Sequence, residues 1–336
     1  MSLGVNKLLK EVEKAVSDSV EDKCQTFLND FRLEVESSKN EIKDIVKDGP
    51  LLVLKGNKKH KVGGLKHKKL ETLIKLVDAG QNVLLVGPAG TGKTKSAEQV
   101  SEALGLPFGC ISVGSQTSKS DLLGYMDANG NYVSTEFRRA YENGGIFCMD
   151  EIDAGNSNVL IVLNSALSNG VCSFPDKVVK VHENFRFIGT ANTYGNGADR
   201  MYIGRNQLDS ATLDRFIVLD WYIDKSLENA MAKPYKKYKE WLRAVRRLRD
   251  EVEKNQVRAV ISPRMTMRCL VAYQIGNTVE DVVDMCIMPQ IPSDKKDHYR
   301  TIVLDAFYGR SETPEIIDPA GEDLLRKYHE SIGLAF

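Results

Sequence analysis

The sequence predicts a mostly parallel, three-layer α/β core built on five strands, with a helical arm before it and a helical domain after it. Three observations carry that expectation. Five short apolar runs recur between residues 82 and 219, helical patterns lie between most of them, and no such run follows Trp221. Continuous apolarity marks strands covered on both faces, and helical crossovers join parallel strands. The 336 residues exceed one small core and suit two or three packed units.

In chain order, Leu8, Val12, Val16, Val20, Cys24, Phe27, Phe31 and Val35 keep steps of three and four, and after an interruption near Ser37-Ser38 the stripe resumes at Ile42 and Ile45 and stops at Gly49-Pro50. That is one helical stripe, so residues 1–50 read as a helical arm that packs on its own domain or a neighbour, or else serves a dedicated partner. Lys55 to Lys69 holds seven lysines and no acid, and 51–68 therefore reads as a solvated basic linker. The core, 69–224, opens with an amphipathic helix from Leu70 to Val77 that ends at Gly80. Its strands follow at Asn82–Val86, Pro107–Val113, Gly145–Met149, Phe185–Ile188 and Phe216–Leu219. From 225 to 336 the pattern is helical, with Tyr235, Tyr238, Leu242, Val245, Leu248 and Val252 on one stripe.

Composition narrows the function. Hydrophobic residues make up 42% and charged residues 27%, which is ordinary for a globular chain and excludes a disordered or collagen-like one. Lys+Arg and Asp+Glu are both 46, so nothing global favours nucleic acid or membrane. Ala154–Pro175 is uncharged for 22 residues, but its four Asn, four Ser and two Gly are too polar for hydrocarbon. The six cysteines form no C-x-x-C pair and no apolar signal segment starts the chain, which points to reduced thiols in a cytoplasmic protein.

The chemistry lies at the strand ends. Gly87-Pro88-Ala89-Gly90-Thr91-Gly92-Lys93-Thr94 fits G-x-x-x-x-G-K-[ST] and directly follows the first strand. Its glycines let backbone N–H groups turn inward around phosphates at a helix N-terminus, where Lys93 reaches the β- and γ-phosphates and Thr94 ligates Mg²⁺. Ile146 to Glu151 is an apolar strand ending in two acids, which are costly there unless they face a cation. Asp150 suits holding Mg²⁺ and Glu151 suits polarising the attacking water; a helix cap with a surface acid is the blander reading. Asn192 ends the strand Phe187–Ala191, where an amide can hold that water or a γ-phosphate oxygen, or simply make a turn. Arg215, in Leu213-Asp214-Arg215-Phe216, is either a salt-bridge partner or a cation offered to a neighbouring subunit's phosphate. Ser262-Pro263 starts a helix with Arg264 in its first turn, an unfavourable place for a cation unless an anion lies nearby.

Taken together, these motifs resemble an AAA+ ATPase of the MoxR or dynein-related (AAA_5) group, similar to the cobaltochelatase small subunit and phage-encoded relatives, over about residues 65–275. The resemblance implies a P-loop NTPase core with a helical lid, ATP and Mg²⁺ as ligands, and a ring, taken as a hexamer. It makes Gly87–Thr94 the Walker A motif, Asp150-Glu151 Walker B, Asn192 sensor 1, Arg215 the arginine finger and Arg264 sensor 2. Arg205, in Gly204-Arg205-Asn206, competes for the finger role. Tyr125–Tyr132 and Val171–Val181 fall where that group carries its helix-2 insert and its pre-sensor 1 hairpin.

The expected function is ATP hydrolysis coupled to remodelling or loading a partner protein, for which a metal-binding von Willebrand-type protein is the family's usual companion. A nucleotide-gated scaffold with little turnover and a nucleic-acid motor are the alternatives. The motor would use the basic run and residues 233–258, which hold ten Lys/Arg against four Asp/Glu. No N-K-x-D guanine signature follows the phosphate loop, which favours ATP over GTP.

Overall fold

The computed structural model describes residues 51–55, 58–198 and 201–309, with side chains placed from Val62 onward, except that of Ser157. The helical arm expected over 1–50 and the end of the C-terminal helical domain, from residue 310, lie outside the described residues.

The chain enters through β1 (Leu51–Lys55) and β2 (Lys58–Val62), which pair with each other. This corrects the linker expectation, which weighed the lysines and passed over the apolar run Leu51–Leu54. Beyond β2 the chain is tied down: Gln99 Nε2 donates to the carbonyls of Gly63 and Leu65, both at 3.0 Å. Helix α1 (Leu70–Asp78) buries Leu70, Leu73, Ile74 and Val77, as its spacing predicts.

The five apolar runs become β3 (Val83–Val86), β4 (Phe108–Ser112), β7 (Gly145–Asp150), β10 (Phe185–Ala191) and β11 (Ile217–Asp220). They form one parallel sheet in the order β11-β3-β10-β7-β4. All four residues of β3 are buried, as expected for a strand covered on both faces. The edge strand β11 departs from that expectation: Ile217 and Val218 are exposed, and among the described residues β11 ends the sheet.

Helix α2 (Lys93–Leu104) leads from β3 to β4. Helix α3 (Lys119–Leu123) then precedes the hairpin β5 (Tyr125–Met126) and β6 (Tyr132–Val133), turned at Asn129-Gly130 with Gly130 at φ +79°. Asp127 Oδ1 holds that turn through the N–H groups of Asn129 (2.9 Å) and Asn131 (2.7 Å). Helix α4 (Glu136–Asn143), capped by the Thr135 hydroxyl, sets Phe137 and Tyr141 among Phe147, Phe174 and Phe185. The uncharged stretch forms α5 (Ser157–Asn169) and β8 (Val171–Ser173), which pairs antiparallel with β9 (Val178–Lys180). Among the described residues no helix is long and apolar enough to cross a membrane.

After the short α6 (Ser210–Leu213) and β11, the chain is helical: α7 (Lys225–Ala232), α8 (Tyr238–Lys254), α9 (Pro263–Gln274), α10 (Val279–Val282) and α11 (Lys296–Tyr308). Trp241, Leu242, Val245, Leu248 and Val252 of α8 are buried, with the Trp241 ring 4.8 Å from that of Phe307. A buried acid joins three of these helices. Glu228 of α7 accepts from Arg246 Nε (3.0 Å) and Arg249 Nη2 (2.8 Å) of α8, and from the Thr266 hydroxyl (2.8 Å) of α9. Burial pushes the Glu228 pKa up, but the Arg249 hydrogen bond and charge, with Thr266 and Arg246, bring it below the ordinary value.

Glu228→Ala strands two arginines and a hydroxyl, and should cost about 3 kcal/mol of stability. Urea denaturation checks this; a loss below about 1 kcal/mol would show that the cluster does not hold the helices together.

Candidate functional site

Three strand ends make the site. β10 lies between β3 and β7, so the loop after β3, the acids ending β7 and the amide after β10 are neighbours at one edge of the sheet. This is where an open parallel sheet offers a crevice.

The loop Gly87–Thr94 runs from β3 into α2, whose N-cap is Gly92 at φ +83°. Gly87 has no room for a side chain, since a Cβ there would lie 1.9 Å from the Trp221 carbonyl oxygen. Lys93 is nearly buried, and its ammonium donates to the carbonyls of Gly87 (2.6 Å) and Pro88 (3.0 Å) and to Asn192 Oδ1 (2.9 Å). Burial pulls its pKa down to about 8 against the pull of Asp150, Asp153 and Glu151, so at pH 7 it remains mostly cationic. Thr94 Oγ1 donates to Asp150 Oδ1 at 2.9 Å. The Thr190 hydroxyl donates to the same oxygen while accepting from the Glu151 N–H at 3.1 Å.

Glu151 has φ +58°, the left-handed region that a non-glycine residue rarely adopts. Its carboxylate faces Arg205, whose Nη1 lies 3.3 Å from Oε2. Asp153, fully buried, accepts from the backbone N–H groups of Asn192 and Thr193 and from the Thr193 hydroxyl, each at 3.0 Å.

Lys93, Thr94, Asp150, Glu151 and Asn192 are thus brought together at these strand ends. Arg264 joins them from the helical part: a Cβ on Gly90 would lie 3.3 Å from Arg264 Cβ and 3.1 Å from Ser262 Oγ. Ser262 occupies the N-cap of α9 but makes no side-chain capping bond, contrary to the usual role of serine there. Arg215 is apart from the others. It precedes β11, whose first residue pairs with Val83, at the end of the sheet opposite the loop. Arg215 Nε donates to Ser168 Oγ at 2.7 Å and Nη1 to the Ala211 carbonyl, so its partners are neutral rather than a salt-bridging acid.

Four residues escape a sequence reading. Asp153 and Thr190 lack any motif of their own beyond lying two residues from Glu151 and Asn192. Tyr202, whose hydroxyl accepts from the Ala89 N–H at 3.0 Å, lies in a loop with no periodic signal. His67, within the basic run, is buried and stacked on Trp221 with ring centroids 4.1 Å apart. It borders a cavity of about 340 Å³ beside Gly90–Gly92, closed by Leu227, Met231 and Pro263.

Residues 82–216 match the AAA domain family, dynein-related subfamily. That stretch is similar to the dynein-related AAA domains. It runs from the start of β3 to the threshold of β11 and spans the strand-end cluster. Among curated relatives, the aerobic cobaltochelatase subunit CobS of a Sinorhizobium species is 34% identical over 152 residues, 41% of this chain and 45% of that protein. An uncharacterized Staphylococcus epidermidis protein is 27% identical over 48% of this chain and 64% of its own length. The chain thus spans about half to two thirds of the curated relatives it matches. Among solved structures, Brucella abortus NtrX in complex with ATP aligns over 92% of this chain and 75% of that one, at 15% identity and TM-score 0.47. The Thermotoga maritima RuvB Holliday junction branch migration motor aligns over 80% and 77%, at 17% identity and TM-score 0.40.

Beside this stretch, the His67 ring ties the incoming chain to the segment after β11. Its Nδ1 accepts from the Lys69 N–H (3.1 Å) and its Nε2 lies 3.0 Å from the Tyr222 carbonyl, a pairing that only the neutral ring makes. Burial, opposed by Asp224, lowers its pKa to about 4 from 6.5. Between those values the unfolded chain binds more protons, so stability present above pH 6.5 is lost as pH falls toward 4, by about 3 kcal/mol at most. His67→Gln, which keeps one donor and one acceptor, should flatten the fall in denaturation midpoint between pH 6.5 and 4.5. An unchanged slope would assign that fall to other groups.

Proposed function

We propose that this chain binds and hydrolyses MgATP as a subunit of a ring, a hexamer, and uses the cycle to remodel or load a partner protein. The observation that carries the reading is the convergence of Lys93, the Thr94–Asp150 pair, Asn192 and Glu151 at three adjacent strand ends. In this reading Gly87–Thr94 is Walker A, Asp150-Glu151 Walker B, Asn192 sensor 1 and Arg264 sensor 2. The loop N–H groups and Lys93 hold the phosphates, and the apolar cavity beside Gly90 takes the base. Glu151 polarises the attacking water, which Asn192 orients. Arg264 brings the helical part onto the nucleotide.

The residues suit magnesium. A hydroxyl and a carboxylate oxygen 2.9 Å apart are the hard, sparse donor set of an ion that takes its remaining ligands from phosphate and water. Bound there, Mg²⁺ would neutralise charge building on the phosphates, with Thr94 as ligand and Asp150 holding it.

The position of Arg215 supports the ring reading. Four residues of extended strand, roughly 13 Å, separate the Val83 level from Gly87, so Arg215 cannot reach its own phosphates. A cation held by neutral groups and pointing away from its own site suits a neighbour's site. CobS is by its name one subunit of a larger enzyme, which supports a separate partner here, of the von Willebrand type in this proposal. The nucleic-acid alternative loses ground, because Arg243, Arg246 and Arg249 of the basic helix bind Phe307, Glu228 and Ile261 internally.

Glu151→Gln should keep ATP affinity by calorimetry and lower steady-state turnover by about two orders of magnitude or more, about 3 kcal/mol of barrier. Turnover near wild type would remove Glu151 from the water-polarising role. Negligible turnover in the wild type itself would favour the nucleotide-gated scaffold.

Arg215→Ala should bind ATP normally and lose about 10³-fold in turnover. Mixed with Lys93→Ala, which fails to bind ATP, it should regain activity, because an intact phosphate loop then meets an intact arginine across the interface. No recovery, with subunit exchange verified, defeats the trans role.

A further inference from the structure

We propose that Arg205 acts within its own subunit as a positioning residue, fixing the Glu151 carboxylate relative to Asn192 through Asp153, and that it is not the arginine offered to a neighbour. The proposal rests on the ATPase reading above.

The geometry has three parts. Asp153 divides its two oxygens. Oδ2 receives the N–H groups of Asn192 and Thr193 and the Thr193 hydroxyl, while Oδ1 faces Arg205 Nη1 at 3.4 Å. The same Nη1 lies 3.3 Å from Glu151 Oε2, so a single nitrogen bridges both acids. Asn192 and Glu151, the groups placed to orient and to polarise the attacking water, are thereby joined through one carboxylate and one guanidinium.

Second, Arg205 is held where it is. Its side chain is 12% exposed, against 44% for Glu151. Its neighbour Asn206 donates through the backbone N–H to the Asp153 carbonyl (2.7 Å) and through Nδ2 to the Gly155 carbonyl (2.9 Å). The Tyr202 ring lies 5.9 Å from the guanidinium, and the Tyr202 hydroxyl is bonded to the phosphate loop at Ala89. A cation so enclosed has no path to a neighbouring subunit's phosphate.

Third, Glu151 needs such a partner. Its side chain is partly exposed and branches from a left-handed backbone, and no other hydrogen bond to its carboxylate is present among the described residues. Without Arg205 the carboxylate samples several rotamers, and a displacement of about 1 Å from the attacking water costs on the order of 10²-fold in rate.

The test is steady-state and single-turnover ATP hydrolysis by the full chain. Arg205→Met, which keeps an apolar stem, should leave the KM for ATP within about twofold and lower kcat by about 10- to 100-fold. Arg205→Lys should restore most of kcat, since one nitrogen makes both contacts. In a Glu151→Gln background, Arg205→Met should add less than about twofold, because its effect runs through the Glu151 carboxylate. A full additional loss there, recovery on mixing Arg205→Met with Lys93→Ala, or unfolding of both the Met and Lys variants at assay temperature would each overturn the proposal. Failure of the ATPase reading is separately visible: Glu151→Gln alone would then hydrolyse at the wild-type rate.

Discussion

The parallel pairing of β10 between β3 and β7 is the constraint on which the site depends. Ala191 pairs with Val86 and Gly189 with Met149, so the three strands end at nearly one level. Lys93 then needs only its own length to reach Asn192, and Thr94 only a hydroxyl to reach Asp150. A one-residue slip of β10 would turn Thr190 and Asn192 to the other face and break the bonds to Asp150 and Lys93 together. The apolar packing of Phe147, Phe187 and Phe216 behind these ends is therefore also what fixes the chemistry in front of them.

What could be read from residues alone follows a physical division. The five strand runs, the phosphate loop and the paired acids are local patterns, legible because burial, backbone turning and charge at a strand end each leave a mark within a few residues. Asp153 leaves none. Its importance comes from four donors brought from the segment that follows β10, some 40 to 50 positions away, and an acid two residues past Glu151 reads alone as surface charge. His67 is similar: a histidine among lysines reads as solvated until Trp221 and Tyr222 close over it. The pairing of β1 with β2 was obscured by lysine charge, and the exposure of β11 by an apolar run that looks the same at an edge as in the middle of a sheet.

The helical part is coupled to the phosphate loop through rigid contacts. Glu228 fastens α7 to α8 and α9, and Arg249 also binds the Ile261 carbonyl, just ahead of Ser262 and Arg264. Ser262 and Arg264 in turn pack close to Gly90. Asp224 caps α7 and accepts from the Lys68 N–H at 2.9 Å, which ties the segment carrying His67 to the same helix. A ligand in the cavity beside Gly90 would touch all three elements at once. These contacts join α9, α7 and the His67 segment into one connected set around the cavity.

The two ends of the sheet divide the electrostatic work. At the loop end, positive charge from Lys93 and Arg205 meets negative charge from Asp150, Glu151 and Asp153, with the lysine and the three acids linked through hydrogen bonds by way of Asn192, Thr94 and Thr190. At the opposite end Arg215, among the described residues, has a hydroxyl and a carbonyl as partners, which orient a guanidinium without neutralising it. A cation in that state keeps its attraction for an anion, whereas Arg205, already shared between two carboxylates, has little left to give. The difference in partners, more than the position in the sequence, separates an arginine that organises its own site from one suited to complete another.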